Sequence, residues 1–445
     1  MKYLIAVTSL LVTFICSNAQ TVRQKMDELL SAYAKLNKFN GSVLVAKGDD
    51  IILDKGYGYS DMANASPAGP ATIYQLGSVT KQFTAAVILK LQEEKKLKVT
   101  DKLSKYFPDY PNGDKITIQN LLQHTSGIFN YTNDPVFMQT GVTQSYTSEQ
   151  MMAMFRDKPL GFEPGAQYSY SNSGYMLLGY IIEKITRKPY EDAVKKYIFR
   201  PLGMSNSGFD FAALKNQNKA IGYLLYNGKN SPRAPIVDST VSYAAGAIYS
   251  TTGDLYRWAQ AIMAQKILKP ESWKAGFQPN LGKYGYGWMI DSLHSRLAYF
   301  HGGGIHGFTS LISIFPEDKI SIILLTNFNT DVLSELLRQL SAIAYDKPYE
   351  FPRGRSEITL DESVLKEYPG EYELAPGFIL TVRYENGKLT AQATGQPSFD
   401  LFAERRDFFF LKVVDAQVEF KRDAAGNVES LILHQNGLSI PGKKK

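Results

Sequence analysis

Residues 77–89 read GSVTKQFTAAVIL, and the rest of the chain is best interpreted outward from this stretch. Apolar side chains occupy nearly every side of a helix drawn through it, which predicts a helix buried all round. Ser78 and Lys81 stand three residues apart at its start and therefore share one helix face. A serine hydroxyl attacks poorly until a base takes its proton, and a lysine whose pKa is lowered by burial can be that base. The competing interpretation is a helix-capping serine beside a solvated lysine.

Two later stretches carry groups that a reactive site would need. Residues 164–174, PGAQYSYSNSG, are dense in hydroxyl groups and precede an apolar helix, a pattern that also suits helix capping and turns. Residues 301–308, HGGGIHGF, contain glycines that let the backbone approach a ligand closely. A tight turn between strands would explain the same glycines.

Taken in chain order, the three motifs resemble those of the serine β-lactamase and penicillin-binding-protein superfamily. That superfamily carries Ser-x-x-Lys, then Tyr-x-Asn or Ser-x-Asn, then Lys-Thr-Gly. The nearest resemblance is to the branch with class C β-lactamases, D-Ala-D-Ala carboxypeptidases, D-aminopeptidases and esterases. Flanking stretches agree with it: LLQHTSG at 121–127 and PLGM at 201–204. His124 in the first stretch lies among apolar residues and is interpreted as a buried structural histidine and not as a ligand. The resemblance covers roughly residues 25–345.

The resemblance implies a role for each motif residue. Ser78 would be the nucleophile, and Lys81 and Tyr170 would share the base and acid work. The substrate-binding positions would be Asn172 for a substrate amide, His301 and Gly303 in the third motif, and Gly304. The backbone N–H groups of Ser78 and Gly304 would form the oxyanion hole.

The third motif departs from the family pattern, because His301 stands where β-lactamases have lysine. A histidine is mostly neutral at pH 7, so it anchors a substrate carboxylate less firmly. We therefore expect ester or peptide chemistry to be favoured over β-lactam hydrolysis. We also expect that preference to weaken near pH 6 if His301 gains a proton there.

The chain divides by composition into a leader and two domains. Lys2, the apolar residues 4–15 and the small residues at 17–19 predict a signal peptide over 1–19. A hydrolase domain is expected at 20–345, a polar linker at 346–355, and a β domain at 356–445.

The element pattern predicts an α+β fold followed by a small all-β domain. Strands at both ends of the first domain, with helices between them, indicate one sheet with a helical insertion. Residues 244–250 are also predicted to form a strand. The resemblance implies that this sheet is antiparallel and flanked by helices, and that the domain has a helical subdomain. Residues after 368 show only strands, including hairpins at Asn386-Gly387 and near Gly426, which predict a small antiparallel barrel or sandwich. This domain resembles the lipocalin-like domain that is appended to many such hydrolases.

Composition excludes several function classes. Cys16 is the only cysteine and falls in the predicted leader, so no disulfide, thiolate catalysis or cysteine-bound metal is expected. Five histidines without ligand spacing give no metal site, and no cofactor is expected. A net charge of +6 without a basic patch argues against nucleic acid.

The sequence thus predicts a periplasmic or secreted serine hydrolase that forms an acyl-enzyme on small esters or amides. The mature chain should have no membrane span, and the β domain is a candidate surface for homo-oligomer contacts. Three alternatives stay open: a D-amino-acid peptidase or D-Ala-D-Ala carboxypeptidase acting on peptidoglycan-derived peptides, a class C-like β-lactamase, and a non-catalytic penicillin-binding-type sensor.

Overall fold

The computed structural model describes residues 21–226, 231–352, 354–412, 416–435 and 438–445. The predicted signal peptide, including Cys16, lies outside the described residues. The chain divides into two compact units between Phe351 and Pro352, a point inside the predicted linker.

The first unit is built around one antiparallel sheet with the strand order β2-β1-β10-β9-β8-β7. The strands of this unit are β1 (Gly41–Lys47), β2 (Asp50–Tyr57), β3 (Tyr59–Asp61), β4 (Ser66–Pro67), β5 (Tyr74–Gln75), β6 (Tyr249–Ser250), β7 (Met289–Leu293), β8 (Arg296–Ile305), β9 (Phe308–Phe315) and β10 (Ile320–Thr326). The short strands form two separate ribbons, β3-β4 and β5-β6. Strands from both ends of the unit share the sheet, which confirms the predicted architecture.

Helices cover the sheet on both faces. They are α1 (21–35), α2 (Thr80–Glu93), α3 (Ile118–Leu122), α4 (Pro135–Thr140), α5 (Ser148–Ala153), α6 (Asn172–Thr186), α7 (Tyr190–Val194), α8 (Arg200–Leu202), α9 (Ser239–Gly246), α10 (Thr252–Met263), α11 (Pro270–Gly276) and α12 (Val332–Ala344). Helix α2 is buried at every residue from Thr80 to Leu89, as its apolar composition predicts.

Two apolar cores follow from the alternation of side chains along the central strands. Val43 and Val45 of β1 pack with α1 and α12, in a core that contains Leu29 and Leu336. The intervening Leu44 belongs to the opposite core, which contains α2 and α6. Ser78, the predicted nucleophile, therefore lies at the start of a helix that is held between the sheet and the helical region.

One sequence-based prediction is wrong. The strand expected over residues 244–250 is instead the end of helix α9 and the two-residue strand β6. The helix begins upstream, where the side chain of Asp238 accepts a hydrogen bond from the backbone N–H of Thr240 and caps it. Its small residues then allow close packing, because a Cβ added to Gly179 of α6 would lie 2.6 Å from the Cβ of Ala244.

The second unit is a closed antiparallel barrel of eight strands, which confirms the predicted all-β domain. It contains α13 (Glu362–Leu365) and the strands β11 (Gly370–Ala375), β12 (Phe378–Glu385), β13 (Lys388–Ala393), β14 (Ser398–Arg405), β15 (Phe408–Phe410), β16 (Ala416–Arg422), β17 (Val428–Gln435) and β18 (Leu438–Lys444). Asn386 and Gly387 both have positive φ, as the type I′ hairpin requires. Within the described ranges, no helix is both long and apolar enough to cross a bilayer.

Candidate active site

Ser78 lies in a 3₁₀ turn, Gly77–Val79, that leads directly into α2. Gly77 has φ +53°, and a Cβ there would come within 2.8 Å of the Gly304 carbonyl oxygen. The hydroxyl of Ser310 on β9 donates a hydrogen bond of 2.6 Å to the carbonyl of Leu76. The turn that presents Ser78 is thus held tightly against the sheet, while Ser78 itself remains partly exposed.

Lys81 is fully buried one helical turn beyond Ser78. Its Nζ lies 3.0 Å from Ser78 Oγ, 2.8 Å from Asn172 Oδ1 and 2.8 Å from the carbonyl oxygen of Ala245. The last two atoms can only accept hydrogen bonds. A neutral amine has two N–H groups and one lone pair, so donation to those two acceptors leaves the lone pair for the Ser78 hydroxyl.

The electrostatic surroundings of Lys81 favour that neutral amine. Burial lowers the pKa of Lys81 well below its ordinary value. Among the described residues no carboxylate forms an ion pair with it. The arrangement therefore suits a base that takes the Ser78 proton.

Tyr170 lies beside this pair. Lys81 Nζ is 4.9 Å from the centre of the Tyr170 ring, and the Tyr170 phenol interacts with the Ser78 hydroxyl. Burial raises the pKa of Tyr170. The side chain therefore stays a phenol at neutral pH and suits proton donation better than service as a resting base.

His124, interpreted from the sequence as a buried structural histidine, packs directly on Tyr170, with ring centres 4.1 Å apart. Its Nδ1 accepts a hydrogen bond from the backbone N–H of Ser171, so the proton is on Nε2. Burial, with the nearby Lys81, lowers the pKa of His124 well below its ordinary value and keeps the ring neutral. The histidine therefore supports the tyrosine that the motif places at the site.

Asn172 is the first residue of helix α6. Its Oδ1 accepts from Lys81, and its Nδ2 donates to Thr132 Oγ1 over 3.1 Å. The amide that we expected to hold a substrate thus already has protein partners on both sides. It still lines the cleft beside Ser78.

Strand β8 brings the third motif to Ser78. A Cβ added to Gly303 would lie 1.9 Å from the Leu76 carbonyl oxygen and 3.0 Å from the Ser78 backbone nitrogen. Gly304 is exposed and lines the same cleft as Ser78. The two backbone segments proposed for an oxyanion hole therefore meet at this cleft.

We expect Gly303→Ala to lower kcat/KM by about 10²-fold, since a shift near 1 Å in a reacting group has an effect of that size. The added methyl group would overlap backbone and must push β8 away from the Ser78 turn. Gly302→Ala is the control, because its Cβ would meet only Ser310 O at 3.8 Å. Ester hydrolysis and thermal melting should be measured on both variants. Equal activities for the two would show that the close approach is unimportant.

His301 is buried and hydrogen-bonded within the protein. Its Nε2 lies 2.8 Å from the Tyr284 hydroxyl, and its Nδ1 contacts the Gly302 carbonyl. Burial lowers the pKa of His301 to about 3, with a smaller contribution from Lys81 when that lysine is protonated. The condition for a weaker preference near pH 6, protonation of His301, is therefore not met, since desolvation keeps the ring neutral down to much lower pH.

The cleft itself is small, with a volume of about 90 Å³. Beyond the motif residues, it is lined by Tyr131, Thr132, Met138, Val142, Val237 and Val241. Sequence reasoning missed these side chains, as it missed the Ala245 carbonyl and Tyr284. They come from loops and short helices with no spacing pattern, although Asn130 and Thr132 do follow the HTSG stretch closely. Among the described residues, no cluster of His, Cys, Asp and Glu could hold a metal ion.

Comparison with known proteins agrees with this geometry. The family model described as Beta-lactamase matches residues 19–345, and that described as Domain of unknown function (DUF3471) matches 354–443. Penicillin-binding protein 4* of Bacillus subtilis (strain 168) is 29% identical over 445 residues, covering 94% of this chain and 98% of that protein.

Two solved structures are also similar. The octameric penicillin-binding protein homologue from Pyrococcus abyssi has a TM-score of 0.67 at 26% identity and covers 94% of this chain and 99% of its own. A D-stereospecific amidohydrolase from Streptomyces sp. has a TM-score of 0.59 at 27% identity. The match covers 70% of this chain and 94% of the amidohydrolase chain. With the family model matching most of the chain, and with Ser78, Lys81, Tyr170 and Asn172 gathered at one cleft, this chain belongs to the β-lactamase family of serine hydrolases, which includes penicillin-binding proteins and amidases.

Proposed function

We propose that this protein is an exported serine hydrolase that transfers the acyl group of small esters or amides to water through an acyl-enzyme on Ser78. The observation that carries the proposal is the set of contacts made by Lys81. Two obligate acceptors and the Ser78 hydroxyl surround an amine that is fully buried. That arrangement uses both N–H groups of a neutral amine and leaves its lone pair for the serine proton.

The proposed reaction proceeds in two halves. Ser78 Oγ attacks the carbonyl carbon while its proton passes to Lys81 Nζ, and the N–H groups of Ser78 and Gly304 stabilise the oxyanion. The bond to the leaving group then breaks, and the Tyr170 phenol supplies the proton that this group needs. Lys81 returns its proton to Tyr170. Lys81 then takes a proton from a water molecule as that water attacks the acyl carbon. The proton passes to Ser78 Oγ when the acyl–Oγ bond breaks, which releases the carboxylic acid and restores Ser78.

Substrate preference follows from the absence of a fixed cation at the third motif. His301 stays neutral, and no Asp, Glu, Lys or Arg side chain is found among the described residues that line the cleft. A substrate carboxylate would enter this cleft without a charged partner, which is costly. We therefore propose that uncharged esters and amides are preferred over penicillins and cephalosporins.

A second candidate is an amidase or peptidase acting on D-amino-acid substrates. It is supported by the similarity to the D-stereospecific amidohydrolase and to penicillin-binding protein 4*. It uses the same acyl-enzyme, so only the substrate differs. The assembled Ser78–Lys81 pair argues against a non-catalytic sensor.

Export and self-association are also proposals. The charged start, apolar run and small residues over 1–19 support cleavage after Ala19 and a periplasmic or secreted location. The octameric state of the Pyrococcus abyssi homologue supports self-association of this chain. Sequencing the N-terminus of the exported protein and measuring its mass in solution would test the two proposals.

Wild-type protein should show a higher kcat/KM for p-nitrophenyl acetate than for a chromogenic cephalosporin. His301→Lys should raise the cephalosporin value by about tenfold or more, because paired charges in a partly dry site contribute a few kcal/mol. Because the pKa of His301 is about 3, the wild-type ratio should not change between pH 5 and 8 on account of this residue.

Both substrates should be assayed on both proteins across that pH range. A wild-type cephalosporin value near ~10⁶–10⁸ M⁻¹s⁻¹ would contradict the ester preference. If His301→Lys alters neither value, His301 does not occupy the anchoring position.

A further inference from the structure

His306 is a cleft residue to which the proposed reaction gives no role. It lines the same cavity as Ser78, Asn172 and Gly304 and is half-buried. Within the described part of the chain, neither of its ring nitrogens has a hydrogen-bond partner. The other site histidines differ, because His124 and His301 each use a ring nitrogen on a protein group.

The backbone that carries His306 is held in place from both sides. His306 and Gly307 form the two-residue turn between β8 and β9, where Ile305 pairs with Phe308. The side chain of Asn329 clamps this turn: its Oδ1 accepts from the Gly307 N–H over 2.9 Å, and its Nδ2 donates to the Ile305 carbonyl over 3.1 Å. Gly307 has φ +78°, and a Cβ there would lie 2.6 Å from that of Ala234. A side chain with free polar atoms on a rigid turn is arranged to bind at little entropic cost.

The walls of the cavity define what such a group could recognise. Apart from its polar end at Ser78, the cavity is lined by the apolar side chains of Met138, Val142, Val237 and Val241. Tyr131, Thr132 and Ser242 also line it, but their hydroxyl groups are already hydrogen-bonded within the protein. Burial lowers the pKa of His306, so the ring is neutral at pH 7. A neutral imidazole donates through one nitrogen and accepts through the other. It therefore matches an uncharged amide or hydroxyl better than a carboxylate or an ammonium group.

Resting on the proposed acyl-transfer function, we propose that His306 is a specificity residue that hydrogen-bonds an uncharged polar group on the acyl part of the substrate. The preferred acyl group is then a short apolar chain that carries one amide or hydroxyl. The cavity volume of about 90 Å³ is smaller than the ~150 Å³ that holds a benzene ring, which sets the chain length at a few heavy atoms.

Two esters with one leaving group and equal chain length test this proposal: p-nitrophenyl pentanoate and p-nitrophenyl N-acetylglycinate. The quantity measured is the ratio of their kcat/KM values, compared between proteins so that intrinsic reactivity cancels. His306→Phe keeps a ring and removes the hydrogen bond, so the preference for the amide-bearing ester should fall about 3- to 10-fold. His306→Gln, which can still hydrogen-bond, should recover most of the preference. His294→Phe is the control, because that partly exposed histidine is hydrogen-bonded with the Arg338 carbonyl oxygen at the β7–β8 turn.

Labelling of Ser78 by a fluorophosphonate distinguishes failure of the His306 proposal from failure of the proposed acyl-transfer function. If all variants are labelled at the wild-type rate and His306→Phe leaves the ratio unchanged, the role of His306 is overturned while the acyl-transfer function stands. If neither ester is hydrolysed and Ser78 is not labelled in the wild type, the proposed function fails and this inference falls with it. A reduced ratio in His294→Phe as well would also contradict a local role for His306.

Discussion

Ser78→Ala should lower kcat/KM for an ester substrate by more than ~10³-fold, the scale seen when a sole nucleophile is removed. The hydroxyl lines the cleft 3.0 Å from Lys81 Nζ, and among the described residues Lys81 is hydrogen-bonded to no other hydroxyl group. A fluorophosphonate should add mass to the peptide that contains Ser78 and to no other peptide. The residual rate would report what the oxyanion hole and substrate binding supply alone.

A buried serine elsewhere in the same unit provides the control. Ser313 on β9 is buried, and its hydroxyl has no hydrogen-bond partner among the described residues. Ser313→Ala should therefore keep wild-type activity and labelling. Substantial turnover by Ser78→Ala, or a label found on another residue while Ser78 is unmodified, would contradict the assignment of the nucleophile.

The local part of this site could be predicted from the sequence, because a helix places residues i and i+3 on one face. Ser78 and Lys81 needed only that rule and the apolar run after them. The Asn172 and Ala245 contacts join positions 91 and 164 residues away from Lys81, so they depend on tertiary packing. The family motif supplied Asn172, but no motif marked Ala245, and its stretch was wrongly predicted to be a strand.

The fold shows the same difference between contacts that local sequence specifies and contacts that depend on tertiary packing. Strand pairs joined by short turns, such as β12-β13 around Asn386-Gly387, could be predicted from turn chemistry. Barrel closure needs β11 to pair with β18, where Tyr372 meets Lys444, and no local signal specifies that pairing. The contact between the His124 and Tyr170 rings is likewise non-local, so the sequence indicated burial of that histidine and not its neighbour.

Lys81→Met should reduce kcat/KM by about 10³-fold or more, because the serine proton then has no base to receive it. Lys90→Met on the same helix is the control. Lys90 is partly exposed and donates to the Ile267 carbonyl, well away from the cleft-lining residues, so its loss should leave turnover near wild type. Equal activity losses in the two variants would indicate damage to helix α2 in place of a lost base.

The pH dependence of stability offers a test of the lysine's charge that needs no substrate. Burial lowers the folded-state pKa of Lys81 below its ordinary value of 10.5. Between those two pKa values the unfolded chain binds a proton that the folded chain does not, so the free energy of unfolding rises with pH. This rise is at most about 1.4 kcal/mol per pH unit. It ends once the pH exceeds 10.5, where the lysine is neutral in both the folded and the unfolded chain. Methionine carries no proton, so its variant lacks this pH-dependent contribution. The free energy of unfolding of wild type minus that of Lys81→Met should therefore increase from pH 7 to pH 10. A difference that stays flat over this range would mean that Lys81 is equally protonated in both states, and it could not then be the resting base for Ser78.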